Sequence, residues 1–301
     1  MVSGHLARRG GSADRGGCAP ARAVGVARGG RQPVQPILFE LGPFRIHAYG
    51  LALALSFLIG SLWVSRRARP HGLRDEQLSR LYLWILVSAL LGARFYYAFQ
   101  HPEDFSDNWI EVFQVWRGGL TQYGGVIAAL LAGWLYVRAR GWSFLLIGDL
   151  FAPALALGEG LTRIGCFFNG CCFGCPTELP WGVVFPPDSS AHWALGAQPL
   201  HPSQLYLSLG NLILAGLLAL VPLRRLGNGR LLALYLVASS VLRFVVDFAR
   251  HYAGGDYLSI LGLRLVHSQW VGLALLLVGL LLWWRSARRS PGTDGTDAAA
   301  A

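Results

Sequence analysis

GEGLTRIGCFFNGCCFGCPTELPWGVVFPP, residues 158–187, decides how the chain is read. It begins inside an apolar run that carries Arg163 and ends in a Gly-, Cys- and Pro-rich stretch, so that it holds four of the chain's five cysteines. Apolar surroundings do not readily take up a lone arginine. At the centre of a bilayer a cation costs at least ~2.5–3.5 kcal/mol, so an arginine at that depth marks a functional site by default. The flanking chain reads as a cage of helices that holds this stretch at one face of a membrane.

The 301 residues are 53% hydrophobic and 14% charged, whereas an ordinary soluble domain carries about 25% charge. The apolar residues fall in blocks of about 17–22, enough to cross ~30 Å of hydrocarbon. A closed β-barrel would need alternating segments of ~10 residues, and the chain lacks them. The expected class is all-α: a polytopic membrane protein with about seven transmembrane helices and a long extracytoplasmic loop. The net charge of +10 would point to nucleic acid in a soluble protein. Here the basic residues sit in tails and short loops, and no basic face carries interleaved aromatics. Nucleic acid is therefore excluded as a partner, and membrane lipids with anionic headgroups take its place.

Working outward, helices are expected at 48–65, 78–98, 120–138, 145–165, 203–222, 231–249 and 268–284. Residues 1–36 are Gly-, Arg- and Ala-rich, lack the apolar core of a signal peptide and are expected to be a disordered extension, with Cys18 irrelevant. A start codon placed too far upstream accounts for them equally well. PILFELGPFRIHAYG (36–50) reads as a short amphipathic approach to the membrane, and HPEDFSDNWIEVF (101–113) as an interfacial segment. The membrane domain is expected over 37–285, with 286–301 as a cytoplasmic tail. The short Arg-rich loops at 66–76, 138–140 and 224–230 and the tail at 285–289 alternate with neutral-to-acidic loops. The positive-inside rule then puts the C-terminus in the cytoplasm, the N-terminus outside and the cysteine-rich loop on the extracytoplasmic side. The Arg-rich N-terminal tail argues the other way, but the four internal signals agree with one another.

Arg94, Arg163 and Arg243 fall near the extracytoplasmic ends of the second, fourth and sixth segments. Each taken alone reads as a side chain snorkelling to the interface. Three cations at one level suit a phosphate or phosphodiester, which a guanidinium fork recognises, and at that depth the available phosphate is a phospholipid headgroup. Asp247, four residues after Arg243, either neutralises that arginine or positions a reacting group. GGLTQYGG (118–125) is open to two readings. One is tight helix packing with an interfacial Tyr123; the other is close backbone approach to a lipid, with the phenol as donor or base. On spacing alone, packing is the simpler. Cys166, Cys171, Cys172 and Cys175 admit a disulfide or packed thiols, a metal site lacking a nearby His at familiar zinc spacing, or a catalytic thiol. In HPSQLYL (201–207), Pro202 suits a first helical turn, Ser203 and Gln204 offer polar groups at the membrane surface, and His201 is either structural or a base.

Taken in order, the blocks AYGL (48–51), GAR (92–94), GGLTQYGG (118–125), DLFAPALALGEGLTRIGCFFNGCCFG (149–174), PWGVVFP (180–186), HPSQLY (201–206), RFVVDFAR (243–250) and SQW (268–270) resemble the bacterial prolipoprotein diacylglyceryl transferase family over roughly residues 36–285. No one block is decisive; their order and spacing make the match specific. The resemblance implies a protein of the bacterial inner membrane that moves the diacylglyceryl group of phosphatidylglycerol to the lipobox cysteine thiol in the signal peptide of a preprolipoprotein. A thioether forms and glycerol-1-phosphate leaves. No metal or organic cofactor is implied.

Arg163, Arg243, Tyr123 and Asp247 then stand at catalytic positions. Tyr49, Arg94, Asn169, Gly170, Gly174, His201 and Gln204 stand at substrate-binding ones. The departures from the family pattern are Tyr123 where His is usual, Cys166 for Asn, Cys171 for Glu, Asp247 for Glu and Leu207 for Glu. The phosphate-holding half is retained and the proton-handling half is altered, since a phenol with a pKa near ~10 is a poorer base at neutral pH than imidazole. A reading from another class is a non-catalytic phospholipid- or peptide-binding paralogue whose cysteines form a redox or metal element.

Overall fold

The structure, a computed structural model, describes residue 18 and residues 37–41, 44–106, 108–115, 118–223, 229–252, 257–260 and 262–288. The expected disorder of residues 1–36 therefore lies outside the described residues, apart from Cys18. Long helices form at each expected place: α1 (Ala48–Ala68), α2 (Asp75–Gln100), α3 (Gln122–Ala139), α4 (Phe144–Phe168), α6 (Ser203–Leu220), α7 (Arg230–Asp247) and α8 (His267–Arg288). A short α5 (Ser190–Leu195) lies within the long segment between α4 and α6. The ends follow local chemistry. Asp75 and Glu76 occupy the first turn of α2, and Arg66 and Arg67 the last turn of α1, each sign complementing the helix dipole.

One expectation changes, and another is met in part. The chain is not purely helical. Strands β1 (Ile37–Leu41) and β2 (Phe44–His47) form an antiparallel hairpin where an amphipathic approach was expected, and β3 (Tyr257–Ile260) and β4 (Leu263–Val266) form another in the expected 250–267 loop. Strands of four or five residues carry too little alternation to be seen by period alone. Further, five helices are long and apolar enough to cross a membrane: α1, α2, α4, α6 and α8. Helix α7 falls short because Arg230, Arg243 and Asp247 lie within its 18 residues. Helix α3 opens on Gln122 and Tyr123 and carries Arg138 in its last turn. Between 17% and 44% of each crossing window is buried, so most of this apolar surface faces outward, as lipid contact requires.

The chain divides into two compact units. The second comprises 54–158, 212–237 and 278–301. In it α2 and α3 pack closely: a Cβ on Gly92 would collide with Ala128 and the Gly124 carbonyl, and one on Gly124 with Tyr96 and the Gly92 carbonyl. This is the small-residue contact by which membrane helices approach without a solvent-driven force. Fully buried Asp149 of α4 accepts 2.8 Å hydrogen bonds from the Gly229 and Leu232 amides, so a carboxylate caps the start of α7.

The first unit comprises 1–53, 159–211 and 238–277. Its core is Phe167, Phe185, Ala191 and Leu200, with Phe173, Val183 and Leu195 packed against them. This small apolar cluster lets the segment after α4 fold as a defined structure, pinned by bridges from Leu200 to Pro176 and to Val183.

Candidate active site

The C-terminus of α4 builds the cysteine cluster. Gly170 takes φ 64°, its amide donates to the Phe167 carbonyl at 3.0 Å, and the Cys171 amide donates to the Cys166 carbonyl at 3.2 Å. These two bonds make a Schellman motif with Gly170 as the left-handed residue, a geometry that brings the third-last helical position against the second residue past the end. In this chain those positions are Cys166 and Cys171. A side chain at Gly170 would also meet Ser189 Cβ at 2.5 Å. Cys172 has φ 61° and is the non-glycine residue with positive φ among those described; such a conformation costs about 1–3 kcal/mol and is kept where surroundings enforce it. The Sγ atoms of Cys166, Cys171 and Cys172 lie within 4.8 Å of one another. Hydrogen bonds from the Cys166 and Cys171 thiols, with the positive charges of Arg250 and Arg163, draw the Cys172 thiol below the ordinary thiol range.

The start of α6 holds this loop. Ser203 Oγ donates to the Cys172 carbonyl at 2.9 Å and Gln204 Nε2 to the Cys171 carbonyl at 2.8 Å. Gln204 is fully buried, and its Oε1 has no hydrogen-bond partner among the described residues. Gly174 lies between two strands of chain: its amide donates to the His201 carbonyl, and a Cβ there would meet the Ala249 carbonyl at 2.6 Å. His201 Nδ1 is 3.1 Å from the Tyr206 hydroxyl, which accepts from Trp181 Nε1 at 2.8 Å. Burial lowers the His201 pKa. Cys175 departs from the rest of the cluster, because it is disulfide-bonded to Cys18, 157 residues earlier. The expectation that Cys18 is irrelevant is thereby corrected.

Arg163 lies half-buried on α4, within electrostatic reach of Cys172 and of Tyr49. Tyr49 is itself within reach of all three free cysteines. Gly165 allows this approach, since a Cβ there would meet Ala52 Cβ at 2.9 Å and Tyr49 Cα at 3.0 Å. Among the described residues, no hydrogen bond or ion pair engages the Arg163 guanidinium. Arg243 differs. Its Nε donates to Asp247 Oδ1 at 2.9 Å and its Nη2 to the Tyr252 hydroxyl at 3.2 Å. Asp247 is fully buried and also accepts from the Tyr252 hydroxyl at 2.8 Å and from Ser268 Oγ at 2.6 Å. With three donors on it, Asp247 aims Arg243. Burial raises the Tyr252 phenol above its usual range.

Arg94 and Tyr123 belong to the second unit. Arg94 is buried and donates to the carbonyls of Glu111 (2.6 Å), Val112 (3.0 Å), Gly118 (2.6 Å) and Gly119 (3.3 Å), with the guanidinium 4.9 Å from the Phe105 ring centroid. This cation satisfies loop carbonyls. Tyr123 is 56% exposed on the first turn of α3. The first unit thus gathers Tyr49, Arg163, Asn169, Gly170, Gly174, His201, Gln204, Arg243 and Asp247. Sequence reading missed Tyr252, Ser268 and Arg250 as partners, and singled out Ser203 for its polar group without its partner, the Cys172 carbonyl. Arg250, Ser268 and Ser203 stand inside the blocks RFVVDFAR, SQW and HPSQLY, whereas nothing in the sequence marks Tyr252.

Arginines within electrostatic reach of thiols, with another guanidinium oriented by a buried carboxylate, can bind a phosphodiester and stabilise negative charge as a C–O bond breaks. The comparisons agree with this chemistry. Residues 36–285 match the family described as prolipoprotein diacylglyceryl transferase. The phosphatidylglycerol–prolipoprotein diacylglyceryl transferase of Gloeobacter violaceus is 36% identical over 261 residues, covering 84% of this chain and 95% of its own. That of Bordetella avium is 35% identical, covering 85% and 96%, and that of Clostridium tetani 30% identical, covering 83% and 97%. A match along nearly the whole of each relative, on a helical membrane scaffold with these arginines in place, means that this chain belongs to the prolipoprotein diacylglyceryl transferase family.

Proposed function

We propose that the protein transfers the diacylglyceryl group of phosphatidylglycerol to the lipobox cysteine thiol of preprolipoproteins, releasing glycerol-1-phosphate. Besides family membership, one observation carries the reading: Arg163, without a hydrogen-bond or ion-pair partner among the described residues, lies within electrostatic reach of Tyr49 and Cys172, in the unit that also holds Arg243 oriented by Asp247, Tyr252 and Ser268. Arg163 and Arg243 hold the phosphate and stabilise the charge gained by the leaving group. Asp247 is a positioning residue for Arg243. Gln204 Oε1 offers an acceptor to a headgroup hydroxyl or to the backbone of the signal peptide. Tyr49, Asn169, Gly170, Gly174 and His201 shape the loop around the substrate, Arg94 holds the interfacial segment, and Tyr123 presents a hydroxyl on the first turn of α3 at the position where imidazole is usual in the family.

The protein acts in the bacterial inner membrane, with its site on the extracytoplasmic side, residues 37–285 forming the membrane domain and 286–301 a cytoplasmic tail. The disulfide supports this topology in two ways. Disulfides persist in oxidising compartments. Cys18 precedes α1 and Cys175 follows α4, so α1, α2, α3 and α4 lie between them. An even number of crossings returns the chain to the side from which it started, and this supports counting α3, and with it a seven-span arrangement, among the crossings.

The test is transfer of labelled diacylglycerol from phosphatidylglycerol to a lipobox peptide by the purified protein, beside Arg163→Ala. Loss of one developing-charge contact is expected to lower turnover by about 10²–10³-fold. Phosphatidylglycerol bound without any thioether from the wild type would overturn the assignment.

A further inference from the structure

We propose that Cys166, Cys171 and Cys172 form a three-thiolate site for Zn2+, whose fourth position takes the thiol of the substrate's lipobox cysteine. The binding site stands on the geometry alone; the role of the fourth position rests on the transferase reading above.

Three observations carry the site. First, the three Sγ atoms lie within 4.8 Å of one another. Zn–S bonds of about 2.3 Å in a tetrahedron place sulfurs about 3.8 Å apart, so closure needs only small side-chain rotations. Second, the backbone is built to gather them. The Schellman end of α4 sets Cys171 against Cys166, and the left-handed turn at Cys172 is pinned through its carbonyl by Ser203. Strain held this way in a non-glycine residue marks a site when its side chain has a task. Third, the neighbouring Cys175 is oxidised to a disulfide, whereas these three remain thiols. An odd set of thiols cannot all pair with one another, and a bound cation holds such a set reduced.

The ligand number indicates what the metal does. Structural zinc sites are closed by four protein ligands, and catalytic ones keep three and leave a position open. Among the described residues, no fourth His, Cys, Asp or Glu joins this group. Three thiolates on Zn2+ leave a net negative charge, and Arg163 and Arg250 lie within electrostatic reach to offset it. A thiol bound by zinc is deprotonated outright. Its proton passes to water, so the thiol is activated in a chain that has Tyr123 where imidazole is usual. The bound thiolate then attacks the terminal diacylglyceryl carbon. The S–C bond forms, the bond from that carbon to the phosphate oxygen breaks, and the electron pair leaves with glycerol-1-phosphate, whose added negative charge falls on Arg163. No electron is gained or lost overall, as suits a metal without redox chemistry.

The test uses the full chain, purified in detergent without chelator or reductant, with metal content measured by mass spectrometry. About one Zn2+ per chain is expected, falling to near zero in Cys166→Ser, Cys171→Ser and Cys172→Ser and unchanged in Cys18→Ser. Binding of phosphatidylglycerol vesicles by each variant shows that it is folded. Substitution with Co2+ then reports the fourth ligand: a lipobox peptide should shift the visible thiolate–cobalt bands, and its Cys→Ser version should not. Zinc unchanged in all three variants, or absent from a wild type that still transfers lipid, overturns the site and leaves the transferase reading standing. Zinc bound with a cobalt spectrum indifferent to the thiol peptide overturns the role of the fourth position. Failure of the transferase reading alone would appear as intact, cysteine-dependent zinc with no thioether product.

Discussion

Replacing Asp247 with alanine removes the acceptor shared by Arg243, Tyr252 and Ser268. The Asp247 side chain is fully buried and that of Arg243 is 23% exposed, so the pair is screened little by water. Removing one partner of such a pair typically costs about 3–5 kcal/mol, because the remaining charge is left without compensation. The Tyr252 hydroxyl and Ser268 Oγ lie 2.9 Å apart and can bond each other, so their loss adds little. Asp247→Asn keeps the shape and one acceptor but removes the counter-charge, and should cost less, about 1–3 kcal/mol. Two readings are needed: the thermal inactivation midpoint in detergent, and transfer rate as a function of pH. The expected result is a graded loss of stability, alanine worse than asparagine, with turnover falling because Arg243 is no longer aimed. The pH profile of Asp247→Asn should keep its shape. An asparagine variant of full stability that loses turnover together with one limb of its pH profile would show that Asp247 carries a proton, and the buried-pair reasoning would be wrong. An alanine variant of unchanged stability would refute it as well.

Further tests address other parts of the molecule. Arg94→Lys keeps the charge but cannot reach the carbonyls of Glu111, Val112, Gly118 and Gly119 together. At about 1.5–3 kcal/mol per charge-assisted hydrogen bond, the segment 101–119 should become open to limited proteolysis. Weaker phosphatidylglycerol binding with that segment still protected would instead make Arg94 a phosphate ligand. Burial holds the His201 pKa below its value in the unfolded chain, near ~6.5. Between the two values the unfolded state binds more protons, so stability is fully present above pH ~6.5 and declines as pH falls through the folded pKa. Thermal midpoints of wild type and His201→Gln should diverge above that window and converge below it; parallel curves would refute the assignment. Finally, alkylation of the denatured, unreduced protein should label three thiols, and all five cysteines after reduction, read by mass shift.

Helix placement was legible in the sequence because it is a local property. An apolar run of sufficient length forms a helix wherever the chain lacks breakers, and charged residues mark its ends. The candidate positions Arg163, Gly170, Gly174, Gln204 and Arg243 were legible through ordered blocks, since those blocks record what a site needs. The roles were not. Arg94 and Arg163 look alike in sequence, each an arginine near the end of an apolar segment. Only the fold shows that one is surrounded by backbone carbonyls and the other has no such partner among the described residues. The same holds for Asp247, whose three donors come from residues 243, 252 and 268. Tyr252 carries no local signal, because its part depends on a return of the chain after α7.

The cysteines divide most sharply. Spacing alone left a disulfide, packed thiols, a metal site and a catalytic thiol open together. The tertiary structure joins Cys175 to Cys18 across 157 residues and leaves Cys166, Cys171 and Cys172 gathered at one helix end. A helix or a capping turn is set by neighbours a few residues away, so composition and spacing reveal it. A bond between distant residues, or the partner a buried charge finds, is set by how the whole chain closes on itself, and no window of sequence contains that information.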